Sequence, residues 1–357
     1  MFRWLKKNRP ELTGWIDNID RHHVAGWAAY PGGIPPKLFI EVDGVIVGET
    51  IPKYARPDLA AAYGPNIALG YYFVFPQPLA RGDRVAVIDQ YGRPLMNSPE
   101  TIKDTSPEED LSDVSPNLST PVPGSELIFL VNGHHDRRHY AAMRYPAVQT
   151  IIEQLDRVGI DYKTFRTILD FGCGCGRILA GWEPILPKDA TLLGCDINPK
   201  LIEFCNNNIP FAQTWVSSYF PPLEHIADGA LDFVYAASVL THVTRDAAQQ
   251  WAKEMDRIVR PNGILMISYM GGYYRDALKD ITPQGYSELE STGFYCHVHG
   301  TPQQTFLGSN DYATYMDSTF VRNLFQNFDL IGERLGLIEG SSPFMSFQDI
   351  AILRRHA

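Results

Sequence analysis

Before residue 97, short runs rich in Val, Ile, Tyr and Phe alternate with turn signals. They are Leu38 to Val42, an Asp43-Gly44 turn, Val45 to Thr50, Gly70 to Phe75 and Arg84 to Asp89. Period-two runs cut by glycine turns predict an all-β module, a small sandwich. Beyond residue 124 the pattern changes to unbroken apolar runs separated by helical periodicity, as expected of strands buried on both faces of a parallel sheet. Five such runs are Thr167 to Asp170, Thr191 to Asp196, Phe211 to Val216, Leu231 to Ala237 and Ile264 to Tyr269. One helix begins after Asn198-Pro199, and another runs from Thr244 to Val259 before Pro261-Asn262-Gly263. Phe328 to Leu335 and Phe347 to Arg355 are placed as an antiparallel hairpin added to the sheet edge.

Residues 97–124 hold five prolines and six acidic residues with almost nothing to bury. This is the composition of an extended linker. The expected organisation is therefore a β-rich module over 1–96, a linker over 97–124 and an α/β domain over 125–357. The 357 residues carry a net charge of -10 and no basic stripe, which argues against a nucleic-acid substrate. No run approaches the ~20 apolar residues of a membrane span, and the first ten residues lack the apolar centre of a signal peptide. A cytoplasmic location without integral membrane association is expected. The five cysteines are expected to be reduced thiols.

The chemistry is concentrated in Asp170-Phe171-Gly172-Cys173-Gly174-Cys175-Gly176-Arg177, where a buried strand ends in an acid and three alternate glycines lead into a helix. Glycines remove the Cβ atoms that would hold a ligand off the main chain, and a helix start offers free N–H groups to an anion. Asp170 is placed for a ligand ammonium and the loop amides for a ligand carboxylate. A dinucleotide turn needs G-x-G-x-x-G. Counting from Gly172 ends on Arg177 and counting from Gly174 ends on Leu179, so that turn is excluded. Asp196, closing the second run, stands where ribose hydroxyls would lie, and Ile197 where an adenine would pack.

These strings, with Pro221-Pro222-Leu223 ahead of LDFVYAASVLTHV and the later RIVRPNGILMIS, make the region from about Leu127 to Arg355 resemble a class I S-adenosylmethionine-dependent methyltransferase. The resemblance implies a Rossmann-like seven-stranded sheet with a C-terminal antiparallel hairpin, and S-adenosyl-L-methionine as cofactor. It implies cofactor contacts at Asp170, Gly172, Cys173, Gly174, Gly176, Asp196, Ile197, Ala237 and Ser238. Many relatives carry an acid after the third strand; here Ser217-Ser218 stands there, so Ser217 takes that place. In the first module, Gly14-Trp15-Ile16-Asp17, Gly26-Trp27-Ala28, Arg56-Pro57-Asp58-Leu59 and Gly70-Tyr71-Tyr72-Phe73 resemble β-rich modules that accompany bacterial surface-polysaccharide enzymes. Trp15, Trp27, Tyr71 and Tyr72 suit a sugar-stacking platform, although aromatics so spaced in a small sandwich are more often its core.

On the acceptor side, His242 follows the fourth strand and is a candidate general base, with anchoring of its loop as the competing role. The segment Met270 to Thr319 is an insertion with eight aromatic residues, His297 and His299. His297 is the second catalytic candidate, and Tyr273, Tyr274 and Tyr295 are candidates for sugar contact. Asp136 to Arg144 is expected to form a lid, with Tyr140 or Arg144 near the methionine end of the cofactor. His134-His135 with His139 lacks the acids of a metal set, so no metal is expected. The function expected is O-methylation of a sugar hydroxyl in a glycan or surface-polysaccharide intermediate. Methylation of a small metabolite, the first module serving only homo-oligomerisation, is one alternative; a non-catalytic glycan-binding protein with a relic fold is the other.

Overall fold

The computed structural model describes residues 9–19, 21, 23–53, 56, 59–64, 68–77, 79–102, 111, 114, 119–133, 136–278, 281–298 and 312–357. The chain divides into two compact units, 1–110 and 111–357.

In the first unit, β1 (Thr13–Ile19) and β2 (His23–Ala29) precede β3 (Leu38–Val42) and β4 (Val45–Thr50). A short α1 (Ala60–Tyr63) leads to β5 (Gly70–Val74), β6 (Arg84–Asp89) and β7 (Glu100–Thr101). They form two antiparallel sheets, β1-β2-β5 and β4-β3-β6-β7. Asp43 and Gly44 both take positive φ, the conformation of a tight hairpin turn. Inward-facing Ile16, Val24, Ala28 and Tyr71 meet Leu38, Ile40, Val85 and Val87 in one core. Tyr71 is thus a core residue. Trp15, Trp27 and Tyr72 point the other way, because period-two alternation and the pairings Trp15↔Trp27 and Ala25↔Tyr72 set them opposite Ile16, Gly26 and Tyr71.

The start of the proline-rich stretch is built into this unit. The Asn97 side chain takes both main-chain groups of Ile16, at 2.7 and 2.8 Å, Ser98 Oγ accepts from Val87 N, and Ile102 is buried. Its far end is built into the second unit, where Arg144 donates to the carbonyls of Thr120 and Pro121 (both 2.6 Å).

The second unit opens with α2 (Ser125–Asn132), α3 (Arg137–Ala142) and α4 (Arg144–Arg157). It then alternates β8 (Thr167–Phe171), α5 (Arg177–Gly181), β9 (Thr191–Asp196), α6 (Pro199–Asn208), β10 (Ala212–Val216), β11 (Leu231–Ala236), α7 (Arg245–Ile258) and β12 (Val259–Tyr269). The insertion supplies α8 (Pro283–Thr292) and the hairpin β13 (Phe294–Val298) with β14 (Tyr312–Met316). The chain closes with α9 (Ser318–Leu324), β15 (Phe328–Arg334), α10 (Gly336–Glu339) and β16 (Asp349–Arg355). The main sheet runs β10-β9-β8-β11-β12-β16-β15, five parallel strands with the antiparallel pair β16-β15 at one edge. The Rossmann-like fold and the terminal hairpin are as expected.

Helix starts follow their caps: Asn198 accepts from Lys200 N ahead of Pro199, and Thr244 accepts from Ala247 N. One boundary differs. β12 begins at Val259, before Pro261-Asn262-Gly263, because the pairing advances two residues on β11 (Leu231 to Phe233) against five on β12 (Val259 to Ile264). Asn262 at φ 61° absorbs the extra length as a bulge. No helix among the described residues is long and apolar enough to cross a membrane.

Candidate functional site

The carboxyl ends of β8, β9 and β11 meet at the glycine loop. Gly172, Gly174 and Gly176 have φ of 79°, 55° and 78°, a region that L side chains rarely enter. The neighbours close around them. A Cβ at Gly172 would lie 2.3 Å from Val239 Cγ2, and one at Gly176 would lie 2.2 Å from Ile209 Cδ1. These positions therefore fit only glycine.

Asp170 pairs with Gly194 and Tyr235 in the neighbouring strands and is 1% exposed. Neither carboxylate oxygen has a hydrogen-bond partner among the described residues. Burial pushes its pKa up to about 8, with the Tyr235 hydroxyl and the Arg177 guanidinium offsetting part of the rise. A buried, unpartnered carboxyl group is costly unless a cationic donor satisfies it. It is an opening for an ammonium.

Asp196 behaves differently. Its Oδ2 accepts from Gly174 N (3.0 Å) and its Oδ1 from Asn198 N (2.8 Å), so it ties β9 to the loop while retaining lone pairs for further donors. Burial raises its pKa, and the amides of Asn198, Gly174 and Ile197 pull it down in part. Beside it Ile197, 37% exposed, offers apolar surface. Ser217 donates its amide to the Asp196 carbonyl (2.9 Å).

The loop amides do not stand free for a carboxylate as the sequence suggested. Those of Gly172 and Cys173 both donate to the Cys195 carbonyl (2.8 and 2.9 Å), and that of Gly176 to Cys173. With Gly174 held by Asp196, the glycines serve here as shape rather than as an amide cradle. Cys173, Cys175, Cys195, Cys205 and Cys296 are free thiols. Burial raises the pKa of Cys175 and Cys195 to about 12, so these two pack rather than react.

Two expected lid residues lie beneath the loop. Tyr140 is fully buried and its hydroxyl donates to the Cys175 carbonyl (3.1 Å). Arg144, equally buried, spends its two terminal nitrogens on Thr120 and Pro121. Both shape the loop's underside. Arg177, not singled out from sequence, reaches the carbonyls of Pro343 and Phe344 (3.1 and 2.9 Å) and ties the loop to the turn before β16. No sequence signal marks such a tie, because its acceptors are main-chain groups 166 and 167 residues away.

Ser238, just after β11, takes φ 62° and is held by hydrogen bonds: Ser238 N donates to Ser268 Oγ (2.8 Å), and Gln348 Nε2 donates to Ser238 Oγ (2.8 Å). Gln348 Oε1 accepts from Ser268 Oγ (2.8 Å), closing the network. This fixes the turn beside Ala237 and carries the chain to His242. His242 Nδ1 lies 2.8 Å from the Tyr312 carbonyl. A carbonyl only accepts, so Nδ1 carries the proton and Nε2 keeps its lone pair. Burial lowers the pKa of His242, with the Tyr312 carbonyl acting in the opposite sense. The ring is a neutral imidazole.

β14 thus fixes the turn that bears His242: Thr314 Oγ1 also donates to the Val243 carbonyl (2.7 Å), and Met316 N to Met270 O (3.0 Å). Cys296 and Phe294 pack against the domain core, so Tyr295 and His297 lie on the other face of the hairpin, where Tyr295 Oη is 3.2 Å from His297 Nδ1. The two histidine candidates are not brought together. Tyr273 stacks on Phe347 at 4.0 Å. His134, His135 and His299 lie outside the described residues, and no metal-binding group of side chains occurs among those described.

Beyond the end of β12 a cleft of about 210 Å³ is lined by Gly271, Gly272, Arg275, Asp317, Ser318 and Asp349, with Leu289, Met316, Leu335, Leu337 and Ile338 as its apolar part. A larger groove of about 580 Å³ lies between α7 and the turn joining α9 to β15, towards the opposite end of the strands, and shares no residue with the loop.

Residues 169–267 match the family described as a methyltransferase domain. Solved structures similar to this chain include a SAM-dependent methyltransferase from Methanosarcina mazei, 17% identical, covering 53% of this chain and 92% of that one (TM-score 0.40). A SAM-dependent methyltransferase from Aquifex aeolicus is 11% identical and covers 70% and 100% (TM-score 0.37). A putative type 11 methyltransferase from Sulfolobus solfataricus is 19% identical and covers 54% and 84% (TM-score 0.32). The chain carries a methyltransferase domain, and that family implies S-adenosylmethionine as methyl donor.

Proposed function

We propose that the protein transfers a methyl group from S-adenosylmethionine to a hydroxyl of a sugar, in a glycan or a surface-polysaccharide intermediate. The observation that carries the donor half is Asp170, a buried carboxyl group with no hydrogen-bond partner among the described residues, at the mouth of a glycine-rich loop. The residues fit the donor: Asp170 for its ammonium, Asp196 for its ribose hydroxyls, Ile197 for its adenine, and Gly172, Cys173, Gly174, Gly176, Ser217, Ala237 and Ser238 for its outline. When bound, the donor supplies a sulfonium-activated methyl group.

The hydroxyl half rests on His242. An alcohol must lose a proton as it is methylated, whereas a carboxylate needs no base. His242 is neutral, its tautomer is fixed by Tyr312, and its Nε2 makes no hydrogen bond among the described residues. That is the state a general base requires. In the cleft beyond β12, Arg275, Asp317, Ser318 and Asp349 stand among apolar side chains, a mixture that suits a sugar ring with its hydroxyls.

His242→Asn separates the base from the tether, because the Asn amide still donates to the Tyr312 carbonyl. In a methyl-transfer assay with radiolabelled donor and a panel of glycans, turnover should fall by about 10²–10⁴. Donor affinity by calorimetry should stay unchanged. Methylation of amines or phenols but of no glycan would sink the acceptor half and leave the donor half standing.

A further inference from the structure

A residue with a side chain rarely takes positive φ, yet Ser238 does so, at 62°, where the chain leaves β11. A closed circuit of hydrogen bonds holds it there. Thr241 has a single hydroxyl proton and gives it to the Ser238 carbonyl, so the proton between Ser238 Oγ and Thr241 Oγ1 (2.8 Å) comes from Ser238. Ser238 Oγ then meets Gln348 only as an acceptor. This orients the Gln348 amide, with Nε2 towards Ser238 and Oε1 towards Ser268, both at 2.8 Å. Ser268 Oγ donates to that Oε1 and accepts from Ser238 N. Ser268 stands opposite Ile350 in the pairing of β12 with β16, so the strand register brings residue 348 to its side. Gln348 is 6% exposed, and Ser268 and Thr241 are fully buried. A buried polar circuit is rigid when complete and costly when one member is lost.

The turn over 238–242 bridges the two halves of the proposed site. Val239 rests on Gly172 of the glycine loop, where a Cβ would lie 2.3 Å from Val239 Cγ2, and His242 ends the turn with Nδ1 on the Tyr312 carbonyl. β14 ties only the far end, through Tyr312 and the Thr314 hydroxyl; the near end depends on the circuit. We propose that Gln348 is a positioning residue for methyl transfer: by pinning Ser238, 110 residues earlier in the chain, it sets the turn that aims the His242 Nε2 lone pair at the acceptor hydroxyl. Packing alone would be met by Met or Leu. An amide is needed because this position must accept on one side and donate on the other. Misplacing a reacting group by about 1 Å costs on the order of 10²-fold in rate. The inference rests on the hydroxyl-methylation reading above.

The test uses the full chain, radiolabelled S-adenosylmethionine and whichever glycan of the panel above the parent methylates. Gln348→Met keeps the volume and removes both hydrogen bonds. Well below its melting temperature it should lower kcat about tenfold or more, while acceptor KM and donor affinity by calorimetry stay within about threefold. Ser268→Ala breaks the same circuit more mildly and should move the same constant in the same direction, so the test survives a Gln348→Met chain that does not fold. A second readout needs no acceptor. NMR of isotope-labelled histidine nitrogens, with His242 assigned by its loss in His242→Asn, should show Nδ1–H in the parent and a shift towards the Nε2–H tautomer in both variants. The proposal is overturned if the folded variants keep the parent's kcat or its tautomer. It is equally overturned if donor affinity falls as far as kcat, which would assign the circuit to the glycine loop. If no glycan is methylated, the acceptor reading fails by itself, and the tautomer still decides the role of Gln348.

Discussion

At the scale of single residues, Asp170 carries the most consequence. With its pKa raised to about 8, the folded protein holds a proton there that the unfolded chain releases near the ordinary carboxyl value. The folded state therefore binds more protons between about pH 4 and 8, and this group's contribution to stability declines as pH rises through that window. At about 1.4 kcal/mol per pKa unit the loss amounts to several kcal/mol. Asp170→Asn should flatten this part of the stability–pH curve in urea titrations while abolishing donor binding. An ammonium ligand reverses the preference of the carboxyl group. Donor binding at pH 7 should release close to one proton and affinity should climb from pH 6 towards 8, as calorimetry in two buffers of different ionisation enthalpy would show. No proton release in the parent would remove Asp170 from the ammonium site. The sequence marked this residue because an acid closing an apolar run just before glycines is a local signal. It could not mark Arg177 or the Tyr312 carbonyl, whose roles arise from contacts across 70 residues or more.

Elements were legible where one force dominates. The runs that became β8, β9 and β11 are largely buried, and the apolar run of the edge strand β10 is as compact although half-exposed, so composition alone delimits all four to within one residue. β1 and β2 were missed because Gly, Asp, Asn and His interrupt their apolar pattern, and the reason for these residues lies across the sheet: a Cβ at Gly26 would meet the Trp15 carbonyl oxygen at 2.0 Å and the Tyr71 hydroxyl at 2.8 Å. The glycine loop allows a measured separation of two costs. Gly159 and Gly176 have φ of 72° and 78°, but a Cβ at Gly159 has nothing within 4 Å while one at Gly176 strikes Ile209. Gly159→Ala should lose about 1 kcal/mol, the cost of the backbone conformation alone. Gly176→Ala should lose about 1–3 kcal/mol more, as expected for overpacking. Urea midpoints at constant m-value would measure both. Equal losses would mean that Ile209 yields freely and that the loop is not held shut by its neighbours.

At the scale of the whole molecule, the chain divides into two units, 1–110 and 111–357, and each builds its own core: Ile16, Val24, Leu38, Ile40 and Val85 in the first, the apolar residues of the seven-stranded sheet in the second. The residues proposed to hold the donor, and His242, all belong to the second unit. A unit with its own core can fold by itself, so residues 111–357 alone should bind S-adenosylmethionine with the affinity of the full chain, as calorimetry would measure. His242→Asn in the full chain should leave that affinity unchanged and lower kcat for every hydroxyl acceptor tested, because it removes the base and not the donor site. A tenfold or greater loss of donor affinity in the shortened chain would mean that the second unit does not hold its donor site without the first.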